Sequence, residues 1–150
     1  MVTPTNRSSD GPYLAAAVIC EKVLSEGDQV LSLIRLVDRF TIHAQGPGAP
    51  SAPPQVILGF SVVISLKAGR ARGRHPVTLE LDHPTGKRAK VFEQDVNFRG
   101  GDDSGTNLIA EMRLTLRDPG LHWIHVTVDG QEMTRIPFTL EYERSSGPTP

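Results

Sequence analysis

Apolar and polar residues alternate along much of this chain with a period of two. In an extended backbone successive side chains point to opposite faces, so such alternation marks strands with one buried face. Leu58, Phe60, Val62, Ile64 and Leu66 share one parity. Val77, Leu79 and Leu81 alternate with Thr78, Glu80 and Asp82, and Leu108, Ala110, Met112, Leu114 and Leu116 alternate with Ile109, Glu111, Arg113, Thr115 and Arg117. Each set predicts a half-buried strand. Lys90 to Phe98 is less regular, but Val91, Phe92, Val96 and Phe98 between two loop signals predict another, and residues 30–42 a further one.

Turn chemistry divides the pattern. Asp129-Gly130 joins two strands in DPGLHWIHVTVDGQEMTRIPFTL, where Ile136, Phe138 and Leu140 are expected to point inward. Tyr13 to Ser25 admits two readings: Asp10, Pro12 and the alanines at 15–17 suit a helix ended by Gly27, whereas Val18, Ile19 and Val23 followed by Glu26-Gly27-Asp28-Gln29 suit a hairpin into VLSLIRLVDRF. The β pattern of the whole chain favours the hairpin. Residues 44–55, rich in Gly, Pro, Ala and Ser, cannot fill a core or sustain a ladder and read as a flexible loop. The expected organisation is a flexible tail over 1–12, one domain over 13–144 and a second tail over 145–150.

Composition narrows the function classes. Sixteen basic and seventeen acidic residues leave a net charge of −1, which gives no global attraction for nucleic acid or an anionic membrane. Cys20 is the only cysteine and lies in the apolar run LAAAVIC, so it reads as a small buried hydrophobe in a reducing compartment. The first residues lack an apolar signal core, and Leu14 to Cys20 is too short to span a bilayer. A cytoplasmic protein without a membrane segment is the expectation.

Asp118, Gly120 and His122 have the D-x-G-x-Y spacing of a strand-entry corner, with histidine in place of tyrosine. Together, CEKVLSEGDQVLSLIRLVDRF at 20–40 and GLHWIHVTVDGQEMTRIPFTLE at 120–141 resemble an uncharacterised family of small bacterial immunoglobulin-like domains, over most of residues 13–143. The resemblance implies an all-β fold, an immunoglobulin-like antiparallel sandwich of about seven or eight strands, in which Ile124 replaces the usual cysteine. It carries no catalytic residues across.

Candidate chemistry is sparse. If His122, Ile124, Val126 and Val128 face the core, then Leu121, Trp123 and His125 form an outer stripe, a candidate protein-binding surface unless the 44–54 loop or the N-terminal tail covers it. Arg70, Arg72 and Arg74 in KAGRARGRH, with Lys87, Arg88 and Lys90, put seven basic against two acidic residues within 67–90, a candidate anion site if the two loops converge. Neither loop has the aromatic residues of a single-strand binder, so nucleic acid is disfavoured. Pro137 is expected at an open edge of the final strand, guarding it.

RGGDDSG at 99–105 offers too few oxygens for a calcium cage and reads as a flexible turn. The five histidines lack metal-ligand spacing, and no phosphate loop or nucleophile elbow is present. The expectation is a non-catalytic interaction or accessory module with no cofactor and a protein partner. The alternative is a subunit of a homo-oligomeric assembly, with Tyr13 to Cys20 covered by a second copy.

Overall fold

The computed structural model describes residues 10–145. They form β1 (Tyr13–Ser25), β2 (Leu31–Leu36), β3 (Arg39–Gln45), β4 (Val56–Gly69), β5 (Gly73–Asp82), β6 (Arg88–Phe98), β7 (Gly101–Leu116), β8 (Gly120–Val128) and β9 (Gln131–Ser145). One sheet has the order β2-β1-β4-β7 and the other β3-β9-β8-β5-β6. No helix among the described residues is long and apolar enough to cross a membrane.

The two expected turns close local hairpins, β1 with β2 and β8 with β9, and β5 forms a third with β6. Asp129 and Gly130 both adopt positive φ, 53° and 76°, as a tight two-residue hairpin requires. Tyr13 to Ser25 is a strand, so the helical alternative is wrong; pairing with β2 and β4 outweighs the propensity of three alanines.

Among the described residues nine strands replace the expected seven or eight because residues 30–42 split. At Val37-Asp38 the chain leaves β2 for the opposite sheet, where β3 pairs parallel with β9 from Arg39↔Thr139 to Gln45↔Ser145. A purely antiparallel arrangement is therefore corrected at this one pair. Along β9 the β3 ladder begins at Thr139, so Pro137, opposite Trp123 of β8, lies just outside it and removes no bond from that ladder.

The alternating residues meet between the sheets. Val62, Ile64 and Leu66 of β4, Val77 and Leu79 of β5, Ala110 of β7, and Ile124 and Val126 of β8 are fully buried. The irregularity of β6 has a cause, a bulge where Leu79 pairs with Phe92 and Glu80 with Lys90.

Residues 99–105 are not a free turn. From Gly101 the backbone joins β7, with Gly69 opposite Gly101 and Lys67 opposite Gly105 across a bulge, and the Tyr13 hydroxyl donates to the Asp102 carbonyl at 2.7 Å. Residues 10–12, expected in the tail, are docked: Arg70 N donates to Asp10 O at 3.0 Å. The rest of both expected tails, 1–9 and 146–150, lies outside the described residues. Of the 44–55 loop, Ala44 and Gln45 belong to β3, Ala49 is buried, and Tyr142 Oη donates to Pro50 O.

Candidate functional site

The outer face of β8 carries the expected stripe, but its three residues have different surroundings. Leu121 is 46% exposed. Trp123 is half-buried, and Arg135 of β9 lies over it, with its guanidinium carbon 4.6 Å from the ring centroid. His125, expected at the surface, is buried. Its Nδ1 is hydrogen-bonded to Glu132 Oε1, while Asp82 Oδ2 lies 3.7 Å from a buried Nε2 that has no hydrogen-bond partner. The bond from His125 holds the Glu132 carboxyl below the usual carboxylate range. Two of the three residues thus serve the sheet itself, and only Leu121 stands free.

On the inner face His122 is fully buried. Its Nδ1 donates back to Gly120 O at 3.0 Å, and its ring stacks on Phe138 at 4.8 Å. Burial pushes its pKa down, so the ring is neutral.

The basic residues do not converge. Arg70 to Arg74 lie at the start of β5, and Lys87 and Arg88 beyond its other end, roughly 30 Å away along a ten-residue strand. Arg70 and Arg74 each have a carboxylate at 3.9 Å, Asp10 and Asp95. Arg88 pairs with Glu80 at 2.5 Å and Lys90 with Glu93 at 2.6 Å. Arg72 packs over Gly100, and its carbonyl lies 3.0 Å from His75 Nε2. Arg70, Arg74, Arg88 and Lys90 thus each have a carboxylate beside them. Among the described residues no group of three His, Cys, Asp or Glu could hold a metal ion. Burial of Cys20 raises its thiol pKa, which disfavours the reactive thiolate.

His75, which the sequence places in the basic cluster KAGRARGRH, ties two loops together. Its Nδ1 lies 2.6 Å from Asp129 Oδ2 in the β8–β9 turn, and that bond pushes its pKa up. An imidazolium donates from both nitrogens, to Asp129 and to the Arg72 carbonyl. With a folded pKa above the ordinary 6.5, His75 contributes stability that is full below pH 6.5 and lost as the pH rises through its folded value. His122 acts in the opposite sense: its folded pKa is depressed, so stability is lost as the pH falls below 6.5 and the unfolded chain takes up the proton. Replacing His75 with Asn should therefore destabilise the protein more at about pH 5.5 than at about pH 8 in urea unfolding. An equal loss at both values would show that the clasp is not a charged one.

Most of the exposed large hydrophobics among the described residues lie elsewhere. β1 pairs with β4 only as far as Cys20↔Ser61; beyond that point Lys22 to Ser25 pair with β2 alone, and Val56 to Phe60 of β4 pair with β7 alone. The strands diverge around a groove lined in part by Glu21, Val23, Phe60 and Met112. Residues 21–36 are thus a two-stranded ribbon on which Leu24, Val30, Leu33, Ile34 and Leu36 are 37–64% exposed. These are five of the seven exposed large hydrophobics among the described residues, Leu121 and Ile57 being the others. The expected apolar segment, Tyr13 to Cys20, is instead the part of β1 held against β4. A signal for the ribbon existed in VLSLI, five residues without a charge, but the run reads equally well as a buried strand.

A family model described as a family of unknown function, DUF6941, matches residues 15–141. No curated protein sequence matches the chain. Among solved structures, a Listeria innocua β-glucosidase is similar with a TM-score of 0.51 and 12% identity, over 89% of this chain and 17% of that one. A Pseudomonas fluorescens alkylpurine DNA glycosylase, AlkC, bound to DNA containing an abasic-site analogue, has a TM-score of 0.46 and 14% identity, over 83% of this chain and 30% of that one. The chain spans less than a third of either protein, and at this identity the β-glucosidase likeness concerns the fold alone.

Proposed function

Because the chain belongs to DUF6941, a family of unknown function, we propose from its own geometry that it is a non-catalytic protein-interaction module, built on an immunoglobulin-like sandwich and working in the bacterial cytoplasm. The observation that carries the reading is the β1–β2 ribbon. Exposed apolar patches rimmed by polar residues mark interaction surfaces, and a two-stranded ribbon without further cover is marginal in water. The immunoglobulin-like reading is supported by the corner, where His122 bonds backward to the chain as the tyrosine hydroxyl does in such domains. The cytoplasmic reading rests on the lone buried cysteine, and the bacterial one on the resemblance at 20–40 and 120–141.

Affinity capture with mass measurement tests it. The tagged wild-type chain should retain a specific protein, with an untagged copy of the chain counted among the candidates. Joint replacement of Val30, Leu33 and Leu36 with serine should abolish retention at unchanged melting temperature. Loss on Trp123→Ala alone would move the interface to the outer face of β8, and retention of nothing by the wild type would overturn the reading.

A further inference from the structure

We infer that β2 pairs antiparallel with β2 of a second copy, centred on Leu33, so that the ribbon recognises another molecule of the same chain. This rests on the interaction reading and names its partner. The first ground is the edge itself. β2 ends its sheet, and from Val30 to Ile34 it has neither a charge nor a proline. The other end strands are guarded: β3 by Arg39 and His43, β6 by Arg88, Lys90, Glu93 and Asp95, and β7 by Asp102, Asp103, Glu111 and Arg113. Proteins blunt edges that must stay free with charges, prolines or bulges. β2 shows such a device only at Arg35, whose φ of 58° breaks the extended backbone and closes the unguarded stretch.

The second ground is apolar surface on both faces. Cross-strand partners share a face, so Val23 and Leu33 lie on one side of the ribbon, and Leu24, Val30 and Ile34 on the other. Packing against the body of the protein could cover one face; strand pairing extends both. Antiparallel pairing centred on Leu33 sets Leu33 opposite its own copy and Ser32 opposite Ile34. A row of Val23, Leu33, Leu33 and Val23 then runs across four strands, and the isologous geometry repeats every contact.

Charge supplies the third ground. The tip of the ribbon is acidic, with Glu26 held by Ser32 Oγ at 3.0 Å and Asp28 accepting from Val30 N at 3.1 Å. The base carries Lys22 and Arg35, the latter 3.0 Å from Glu21. Antiparallel pairing brings the acidic tip of each copy toward the basic base of the other, whereas parallel pairing would bring like ends together.

Sedimentation equilibrium of the full chain tests the inference. At a concentration on the order of 100 µM, suited to a small interface, the wild type should sediment at twice the 16.3 kDa chain mass. Leu33→Asp and Leu33→Lys each place like charges opposite one another and should sediment at the single-chain mass, with melting temperatures near wild type. An equimolar mixture of the two should recover the doubled mass, because Asp then faces Lys. Ile57→Asp, on β4 rather than on the ribbon, should remain double. A wild type at single mass, a Leu33→Asp variant that stays double, or a mixture that does not recover overturns the inference. A single-mass wild type that still retains another protein in the capture experiment overturns only this inference and leaves the interaction reading standing.

Discussion

Replacing Phe138 with alanine should lower the unfolding free energy by about 3–5 kcal/mol, and the melting temperature by on the order of 10 °C. Phe138 is 1% exposed and sits at the centre of an aromatic cluster. Its ring lies 5.7 Å from Phe40, edge-on, 5.8 Å from Phe60, and is stacked by His122 at 4.8 Å. Phe40 belongs to β3, Phe60 to β4, and His122 to β8, so one side chain ties the parallel edge of one sheet to the centre of the other. Truncation leaves a cavity whose walls are three other rings anchored on separate strands, which limits collapse into the space. It also strips the apolar cover that keeps His122 neutral, so the acid-side loss of stability should weaken in the variant. Urea unfolding with an unchanged m-value checks the magnitude. A loss below about 1 kcal/mol, the usual scale of a surface substitution or less, would mean the cluster is not the junction of the two sheets.

A single methyl group at Gly105 should cost nearly as much, about 2–4 kcal/mol. A Cβ built there would fall 2.0 Å from the Leu66 carbonyl oxygen and 3.1 Å from its carbon. Both are backbone atoms of the strand paired with β7, so no rotamer change can relieve the clash. Relief requires opening the Leu66↔Thr106 and Lys67↔Gly105 register beside the bulge that ends at Gly69↔Gly101. Gly48→Ala provides the contrast, since a Cβ there meets nothing within 4 Å, and its effect should stay within about 0.5 kcal/mol. Thermal unfolding of the two variants side by side decides the point; equal melting temperatures would show that β7 can shift at Gly105 without cost.

Gly105 illustrates how a sequence reading goes astray. In RGGDDSG it is one of three glycines, and local composition points to a flexible turn. Nothing in the neighbouring residues reveals that the Leu66 carbonyl, thirty-nine positions away, occupies the space a side chain would need. His125 is a similar case. Its parity on the outer face was legible, but its burial comes from Glu132 across the β8–β9 hairpin and Asp82 from β5. The three arginines of KAGRARGRH were legible as a cluster of charge, while the carboxylates of Asp10 and Asp95 beside them were not.

The core faces of β4, β5, β7 and β8 and the position of the β8–β9 hairpin were determined by the sequence alone. Alternation and turn chemistry act between residues a few positions apart, and a one-residue slip would move an entire buried set to the wrong face. Tertiary structure alone decided that residues 30–42 break between two sheets, that β3 runs parallel to β9, and that β1 parts from β4 after Cys20. The last of these turns an unremarkable apolar run into an exposed ribbon. Whether Leu33 is buried depends on which strand lies beside it, and a pairing between distant segments leaves no periodicity in the residues that take part.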